Sequence, residues 1–293
     1  MREVITSPRN IDLKRKRKTE RIRRSVLFSL LILTCVGALA YFSAHPRVTL
    51  STIEVSGAEI IDTPDIEAVV QETLSGRYGY LFSRANAFIY PHDTLYARLI
   101  DSFPRIETLA IERTSTTSLR ITITEREGVY LYCGTQPILD TENEEVCYFV
   151  NSDGYIFDRA PYFSGDVYFK FYREIKEEAS SLFVPPQGMY VFSPDVFHRM
   201  IRFIDGVRTN GLEPRYLVVE ADGTYALVLA HLSGATVPRM LFRDDTDLDS
   251  ILENLTLAIG KTEFATEVKT RYSTLLYIDL RFKNKVLYKF SDE

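Results

Sequence analysis

The sequence is poor in the residues that build metal centres and disulfide frameworks. It has no tryptophan, three cysteines and four histidines among 293 residues. So few cysteines exclude a disulfide-rich miniprotein. The histidines (His45, His92, His198 and His231) are scattered, and none has a cysteine, histidine or acidic partner at the spacing of metal ligands. We therefore predict no metal site and no cofactor.

Motifs of common enzymes are also missing. The chain contains no G-x-S-x-G, Walker A, H-E-x-x-H or G-x-G-x-x-G pattern, so nucleophile elbows and phosphate-binding loops are unsupported. Two clusters of acidic residues are candidates for an acid-base site. The first is Glu142, Glu144 and Glu145, and the second is Asp244, Asp245, Asp247 and Asp249. We interpret them as a solvated loop and a helix start, where carboxylates favour the helix dipole. We predict no catalytic residue and no small-molecule substrate.

The overall composition is typical of a globular protein. Hydrophobic residues make up 45% and charged residues 26% of the chain. These proportions exclude a disordered or collagen-like chain, and also a transporter with many membrane spans. The length suggests about two domains.

Charge is distributed unevenly along the chain. Residues 1–24 carry ten basic and three acidic side chains, whereas the remainder carries 25 basic and 37 acidic ones. The next twenty residues, 25–44, contain no charge and are long enough as a helix to cross a hydrocarbon core of roughly 30 Å. The positive-inside rule then predicts a cytoplasmic tail (1–24), a transmembrane helix (25–44) and an extracytoplasmic body, with residues 14–44 contacting cell-membrane lipid.

Two other interpretations of this region stay open. A cleaved signal peptide also has a basic start and an apolar core, and Ala38-Leu39-Ala40 has the form of a cleavage site. However, the basic and apolar parts are both long for a signal. The run from Lys14 to Lys18 could bind nucleic acid, but its position beside the span is explained by membrane orientation, so we predict no nucleic-acid partner.

The body divides by pattern into two parts within an α+β fold. Residues 48–127 predict the order β-α-α-β-β: a strand at 52–56, a helix begun by Asp62-Thr63-Pro64, a helix from about Pro91, and strands at 105–113 and 118–126. Residues 128–293 are richer in strands. They predict hairpins at Asp153-Gly154 and Asp222-Gly223, helices begun by Ser193-Pro194 and near Leu248, and a final strand pair.

Two cysteines lie outside the predicted span. Cys133 and Cys147 fall near strand ends with 13 residues between them, in a part of the chain that we place outside the cytoplasm. A disulfide there would stabilise the fold by about 3 kcal/mol. Two free thiols or a reactive cysteine are the alternatives.

Several segments together resemble the FtsQ/DivIB family of cell-division proteins. TIEVSGAEIIDTPDIEAVV and FPRIETLAIERTSTTSLRITITERE, which follow a basic tail and one span, are similar to that family's POTRA domain. YFVNSDGYIFDRAP resembles its hairpin with a DG turn, and YIDLRFKNKVLYKF resembles its C-terminal strand pair. The resemblance covers roughly residues 12–290 in the right order.

The resemblance implies a non-enzymatic scaffold of the division septum. In that family the extracytoplasmic body binds FtsL and FtsB, helps control septal peptidoglycan synthesis, and receives an FtsB segment at its last strands by strand addition. Carried onto this chain, the partner-binding positions are Arg281, Phe282, Asn284, Val286 and Tyr288. The chain departs from the family at Lys283-Asn284-Lys285, where glycine or serine is frequent, which affects the register of pairing.

The pattern of the last strands predicts an edge of a sheet independently of the family resemblance. Leu276, Ile278, Leu280 and Phe282 alternate with Leu275, Tyr277, Asp279 and Arg281, which predicts one buried and one mostly polar face. Lys285 and Lys289 are charges of the kind that protect edge strands. Such an edge either accepts one acidic strand or is an ordinary protected edge.

Two other functions are compatible with the patterns. A POTRA-bearing transport or assembly component is one, although no run of barrel strands follows. A membrane-tethered cell-wall enzyme is the other, and it requires a nucleophile or acid-base site that the sequence does not show.

Overall fold

The computed structural model describes residues 8–138, 145–163, 167–175, 185–231, 236–243, 247–260, 262–282 and 285–291. It is a mixed α+β chain with an N-terminal apolar helix and a strand-rich sheet, as predicted. The chain forms two compact units, Met1–Glu125 and Arg126–Glu293.

The first unit contains the elements α1 (Pro8–Ser43), β1 (Thr52–Ser56), α2 (Thr63–Leu74), β2 (Arg77–Tyr78), β3 (Phe82–Ser83), α3 (His92–Ser102), β4 (Ile106–Arg113) and β5 (Ser118–Glu125). The second contains β6 (Tyr130–Tyr132), β7 (Tyr148–Val150), β8 (Ile156–Arg159), β9 (Lys170–Tyr172), α4 (Pro194–Thr209), β10 (Pro214–Val219), β11 (Thr224–Leu229), β12 (Arg239–Arg243), α5 (Leu248–Ile259), α6 (Thr262–Thr270), β13 (Leu275–Asp279) and β14 (Leu287–Phe290).

Helix α1 is long and apolar enough over Lys18–Ser43 to cross a membrane. Its large apolar side chains are exposed instead of packed in a core: Phe28 is 64% and Leu33 70% exposed. Exposure of so many apolar groups to water is unfavourable, so the helix surface suits lipid.

The first unit places two helices on a three-stranded sheet. The strand order is β1-β5-β4, with β1 parallel and β4 antiparallel to the central β5. One face of the sheet and the inner faces of α2 and α3 share a core that includes Ile66, Val70, Leu95, Leu99, Leu119 and Ile121. The predicted strands and helices occur in this unit, with the additional strands β2 and β3 between α2 and α3.

A buried carboxylate fixes the end of β5. Glu125 Oε1 accepts the backbone N–H groups of Glu59, Ile60 and Ile61 at 2.8, 2.9 and 2.9 Å. Gly57 begins this loop with a φ of +83°, and a Cβ at that position would lie 2.0 Å from the Ile123 carbonyl oxygen. Only glycine fits so close to the neighbouring strand.

The second unit is built on a nine-stranded sheet. Its order is β14-β13-β12-β11-β10-β9-β6-β7-β8. Helices α4 and α5 pack on one face through Phe197, Phe203, Ile204, Ile251 and Leu255. A smaller cluster on Leu131, Tyr172 and the two cysteines forms a separate core. Both predicted hairpins are present, as β7–β8 and β10–β11.

The predicted alternation in the last strands is wrong at several positions. Leu275 and Asp279 are buried, whereas Phe282 is 52% exposed. At Leu275 the reason is a register shift between Leu275 and Tyr277, which inserts one extra residue into β13 and reverses the direction of the side chain there. Asp279 is buried in its ion pair with Arg281. Phe282 lies beyond the end of the strand. Each strand is also shorter than predicted at one end: β13 ends at Asp279 and not at Phe282, and β14 begins at Leu287 and not at Lys285.

Short elements were not predicted from sequence. They are the β2–β3 hairpin, β6, β9 and α6. Asp62 and Ser193 take the predicted positions before their helices, but neither side chain makes a capping hydrogen bond.

Candidate functional site: the C-terminal edge of the sheet

Strand β14 is the end strand of the nine-stranded order. It pairs with β13 in antiparallel register, with Ile278 opposite Tyr288 and Asp279 opposite Leu287. A strand at the end of a sheet offers one side of its main chain to another strand. This edge is therefore suited to strand addition.

The direction of the main-chain groups follows from one hydrogen bond. Ser291 N–H donates to the Thr274 carbonyl oxygen, on the β13 side, at 2.7 Å. In an antiparallel strand, the N–H and C=O groups of every second residue point towards the same neighbouring strand. The main-chain groups of Lys289 and Leu287 therefore also face β13. The main chains of Val286 and Phe290 face away from it.

Helix α6 supports β14 from one face of the sheet. The Tyr288 hydroxyl donates to Glu267 Oε2 at 2.7 Å, and the Arg271 guanidinium lies 4.6 Å from the centre of the Phe290 ring. Val286 and Tyr288 also pack against the main core. These contacts hold the strand in place through its side chains.

The D-L-R part of the C-terminal motif forms a closed ion pair. Arg281 donates from Nε to Asp279 Oδ1 at 2.9 Å and from Nη2 to Oδ2 at 2.7 Å. The side chain of Asp279 is 7% exposed and that of Arg281 30%. Burial, the largest influence, raises the pKa of the Asp279 carboxyl, but the hydrogen bonds and charge of Arg281 outweigh it and lower the pKa overall.

The structure brings the predicted partner-binding residues to one end of the sheet. Val286 and Tyr288 are half-buried on β14 or just before it, and Phe282 is exposed after β13. Arg281 is occupied by Asp279, so its guanidinium orders the chain and is not simply an exposed charge. Asn284 lies outside the described residues.

Lysines flank this edge. Lys285 and Lys289 are both exposed, and Lys289 is opposite Tyr277. An edge with such charges repels strands of like charge and favours an acidic one.

The two cysteines of the second unit are joined. A disulfide links Cys133 to Cys147 across 14 positions of sequence, at the ends of the neighbouring strands β6 and β7. A carboxylate oxygen of Glu145 lies within 4.8 Å of both sulfurs. Because both sulfurs are oxidised, they lack the thiolate charge that metal ligation requires.

Glu145 is instead bound by its neighbours. Lys170 Nζ donates to its Oε2 at 2.7 Å, and the Tyr172 hydroxyl donates to its Oε1 at 2.7 Å. Burial and then the bond to Glu145 raise the pKa of the Tyr172 hydroxyl. Glu145 is therefore a partly buried structural group. The sequence-based expectation that it lies in a solvated loop is wrong.

The remaining candidate groups lie apart from this edge in sequence and contacts. Asp247 accepts the N–H of Asp249 at 3.3 Å and caps α5, as expected of an acid at a helix start. His198 Nε2 lies 3.0 Å from Asp153 Oδ1, between α4 and the β7–β8 turn. The other predicted acidic positions, Glu142, Glu144, Asp244 and Asp245, lie outside the described residues.

Two ion pairs, Asp279–Arg281 and Glu145–Lys170, were missed from sequence. The Asp279–Arg281 pair had a local signal, because residues two apart in a strand share a face. Glu145 had no such signal, since its partners are 25 and 27 positions away.

Comparison with known proteins assigns no family to this arrangement. No family model matches the chain, and no curated protein matches it significantly.

Proposed function

We propose that this chain is a single-pass membrane scaffold of the cell-division machinery, of the FtsQ/DivIB type, and is not an enzyme. Its N-terminal tail is cytoplasmic, and its body acts outside the membrane at the division septum. The observation that carries the proposal is the end strand β14, which follows a D-L-R-aromatic motif at the edge of a large sheet.

The first unit supports this proposal through its topology. A membrane-length helix is followed by β1, α2, the short β2–β3 hairpin, α3, β4 and β5. Apart from the hairpin, this is the β-α-α-β-β order of the POTRA domain that the sequence resembles. The three-stranded sheet carries both helices on one face. This unit is proposed as POTRA-like on that basis.

The partner binds at β14 by adding a strand. Main-chain hydrogen bonds to the outer side of β14 provide affinity, and alternate side chains provide specificity. Exposed Lys285 and Lys289 favour an acidic segment, supplied by an FtsB-like protein that acts together with an FtsL-like one. Binding of this pair then links the scaffold to control of septal peptidoglycan synthesis.

Depletion of the chain in its own cells tests the proposal. A division scaffold is required for septation, so depleted cells are expected to elongate without septa, and a fluorescent fusion to residue 1 is expected to concentrate at the division site. Normal division after depletion, with an even distribution of the fusion around the envelope, would contradict the proposal.

Reporter fusions test the membrane orientation separately. A reporter active only in the cytoplasm is expected to work when fused before Ser25 and to fail when fused after Glu293, because the basic residues of the tail favour the cytoplasmic side. The reverse pattern would contradict the orientation.

A further inference from the structure

A small aromatic hairpin projects from the first unit. Strands β2 and β3 pair Arg77 with Ser83 and Tyr78 with Phe82. At its tip, Tyr80 is 93% exposed and Leu81 47% exposed. Exposed aromatic and apolar groups of this size, clustered at one tip, indicate a contact that the chain alone does not provide.

The hairpin is fixed to the last turn of α1. The Ser83 backbone N–H donates to Ser43 Oγ at 3.1 Å, and Asn86 Nδ2 donates to the Ser43 carbonyl oxygen at 2.9 Å. Ser43 and Asn86 are both buried, at 7% and 6% exposure. Because Ser43 ends the apolar helix, the hairpin stands where that helix leaves the hydrocarbon.

The tip reaches back along the helix. Tyr80 and Leu81 line a groove together with Ala40, Tyr41 and Ala44 of the helix end. Ala40 lies four residues before Ala44, which corresponds to about 6 Å along a helix. Interfacial aromatic side chains sit at this depth, roughly 5–10 Å into the boundary between headgroups and acyl chains.

The turn holds an aromatic residue, Tyr80, in an unfavourable backbone conformation at the tip. Gly79 and Tyr80 have φ values of 52° and 64°, and the Leu81 N–H donates to the Tyr78 carbonyl oxygen at 3.0 Å. Both central residues of such a turn need positive φ, which glycine or asparagine adopts readily and a bulky residue does not. Tyr80 is thus an unfavourable choice for the turn itself.

The end of helix α1 also exposes aromatic side chains. Tyr41 and Phe42 are 75% and 62% exposed on the same helix end. Tyr41 lines the groove with the hairpin tip, and the centre of the Phe42 ring lies 5.8 Å from that of Tyr41. Aromatic belts of this kind mark the membrane–water interface.

We infer that the β2–β3 hairpin is a second membrane contact, which inserts Tyr80 and Leu81 into the extracytoplasmic lipid interface beside the span. The occupant of the surface is the lipid bilayer. The inference requires that α1 spans a membrane, but it is independent of the role in cell division and of partner binding at β14.

The absence of tryptophan from the chain allows a direct test. The full chain is made with a single tryptophan at Tyr80 (Y80W) or at Leu81 (L81W) and is reconstituted alone into vesicles. The vesicles contain lipids brominated either near the headgroup or deep in the acyl chain. Quenching of tryptophan fluorescence by bromine then reports depth.

Two matched variants provide the references. L33W places tryptophan near the middle of the proposed span, and I60W places it on an exposed loop beyond the far end of β1, where Ile60 is 65% exposed. We expect Y80W and L81W to be quenched more by the shallow than by the deep bromines, and to emit at shorter wavelength than I60W. L33W should be quenched most by the deep bromines.

The outcomes separate the hairpin from the span. If Y80W and L81W are quenched no more than I60W while L33W is quenched deeply, the span is correct and the hairpin inference is overturned. A partner's helix would then be the alternative occupant. If L33W is not quenched, α1 does not span the bilayer and the inference fails with it.

Discussion

Asp279 and Arg281, separated by one residue, form a two-point ion pair in which the buried carboxylate faces a partly exposed guanidinium. The pair stands where β13 ends and the chain turns towards β14. Leu280, between them, is buried on the opposite face, and its N–H donates to the Leu241 carbonyl oxygen at 2.8 Å. The pair therefore fixes the chain at the approach to the proposed docking edge.

Replacement of Arg281 by lysine should destabilise this end of the sheet. Lysine cannot bind both carboxylate oxygens in a planar arrangement, so the buried Asp279 loses part of its hydrogen bonding. We expect the free energy of unfolding to fall by about 1–3 kcal/mol, measured by denaturant unfolding of the full chain in detergent. Arg208→Lys is the control, because the Arg208–Asp205 pair on α4 is exposed and should change stability by less than about 1 kcal/mol. Equal effects of the two variants would contradict the assigned role.

Glu125 should make the stability of the first unit depend on pH. Burial raises the pKa of its carboxyl, but three backbone N–H groups and Arg105 outweigh burial and lower the pKa overall. A lowered pKa in the folded state means that the stabilisation is complete above the ordinary carboxyl range and is lost as pH falls through the folded value. We expect stability to decrease below about pH 5, and Glu125→Gln to flatten this decrease.

The control for this pH experiment is another carboxyl in the same unit. Glu107 is exposed on β4, and Glu107→Gln should change the free energy of unfolding by less than about 0.5 kcal/mol. If Glu125→Gln follows the same pH profile as the unmodified protein, Glu125 does not contribute in this way.

Thiol counting should distinguish the disulfide from free cysteines. Cys35 is the free cysteine of the described chain, so alkylation of the denatured, unreduced protein should modify one thiol, and alkylation after reduction should modify three. Replacement of Cys133 and Cys147 by serine should lower stability by about 3 kcal/mol, the value for a loop of about 15 residues. Three reactive thiols before reduction would show that the bridge does not form in the cell.

Two proline substitutions should separate partner binding from folding. The main chain of Val286 faces away from β13, so Val286→Pro removes a donor from the docking side only. The main chain of Leu287 faces β13, so Leu287→Pro removes a bond of the existing ladder and should cost about 1–3 kcal/mol. We expect Val286→Pro to lose capture of membrane partners in pull-downs while its circular dichroism stays that of the folded protein. Because Val286 is only partly buried against the core, its unfolding midpoint should fall less than that of Leu287→Pro.

The same pull-down can contradict the docking site. A folded Val286→Pro protein that captures FtsB-like partners as well as the unmodified chain would exclude this edge. Lys289→Glu adds information on charge, since it should weaken capture only if the incoming strand is acidic.

Local signals were enough to predict most helices and hairpins. Pro64 and Pro194 stand in the first turns of α2 and α4, where proline fits, and Gly154 and Gly223 take the positive φ of their turns. These features depend on a few neighbouring residues, so they can be recognised without knowledge of the fold.

Other features depend on distant residues and could not be predicted. Strands β6 and β9 are three residues each and pair in parallel with one another. The register shift that buries Leu275 arises only when β13 meets β14. Helix α6 has a weak apolar pattern, and Glu267 within it binds Tyr288, 21 positions away. At the proposed edge, the sequence therefore predicted the strand pair but not the faces of its side chains.

The attachment of α1 to its unit has a mechanical consequence. Besides the bonds to Ser43, Leu50 N–H donates to the Ala85 carbonyl oxygen at 2.8 Å, and Ala87 N–H donates to the Val48 carbonyl oxygen at 2.9 Å. The few residues between the helix and β1 are therefore held on both sides and do not act as a loose tether. A rotation of the helix about its own axis is transmitted as torque to the three-stranded sheet, so a neighbour that turns the helix reorients the rest of the folded unit.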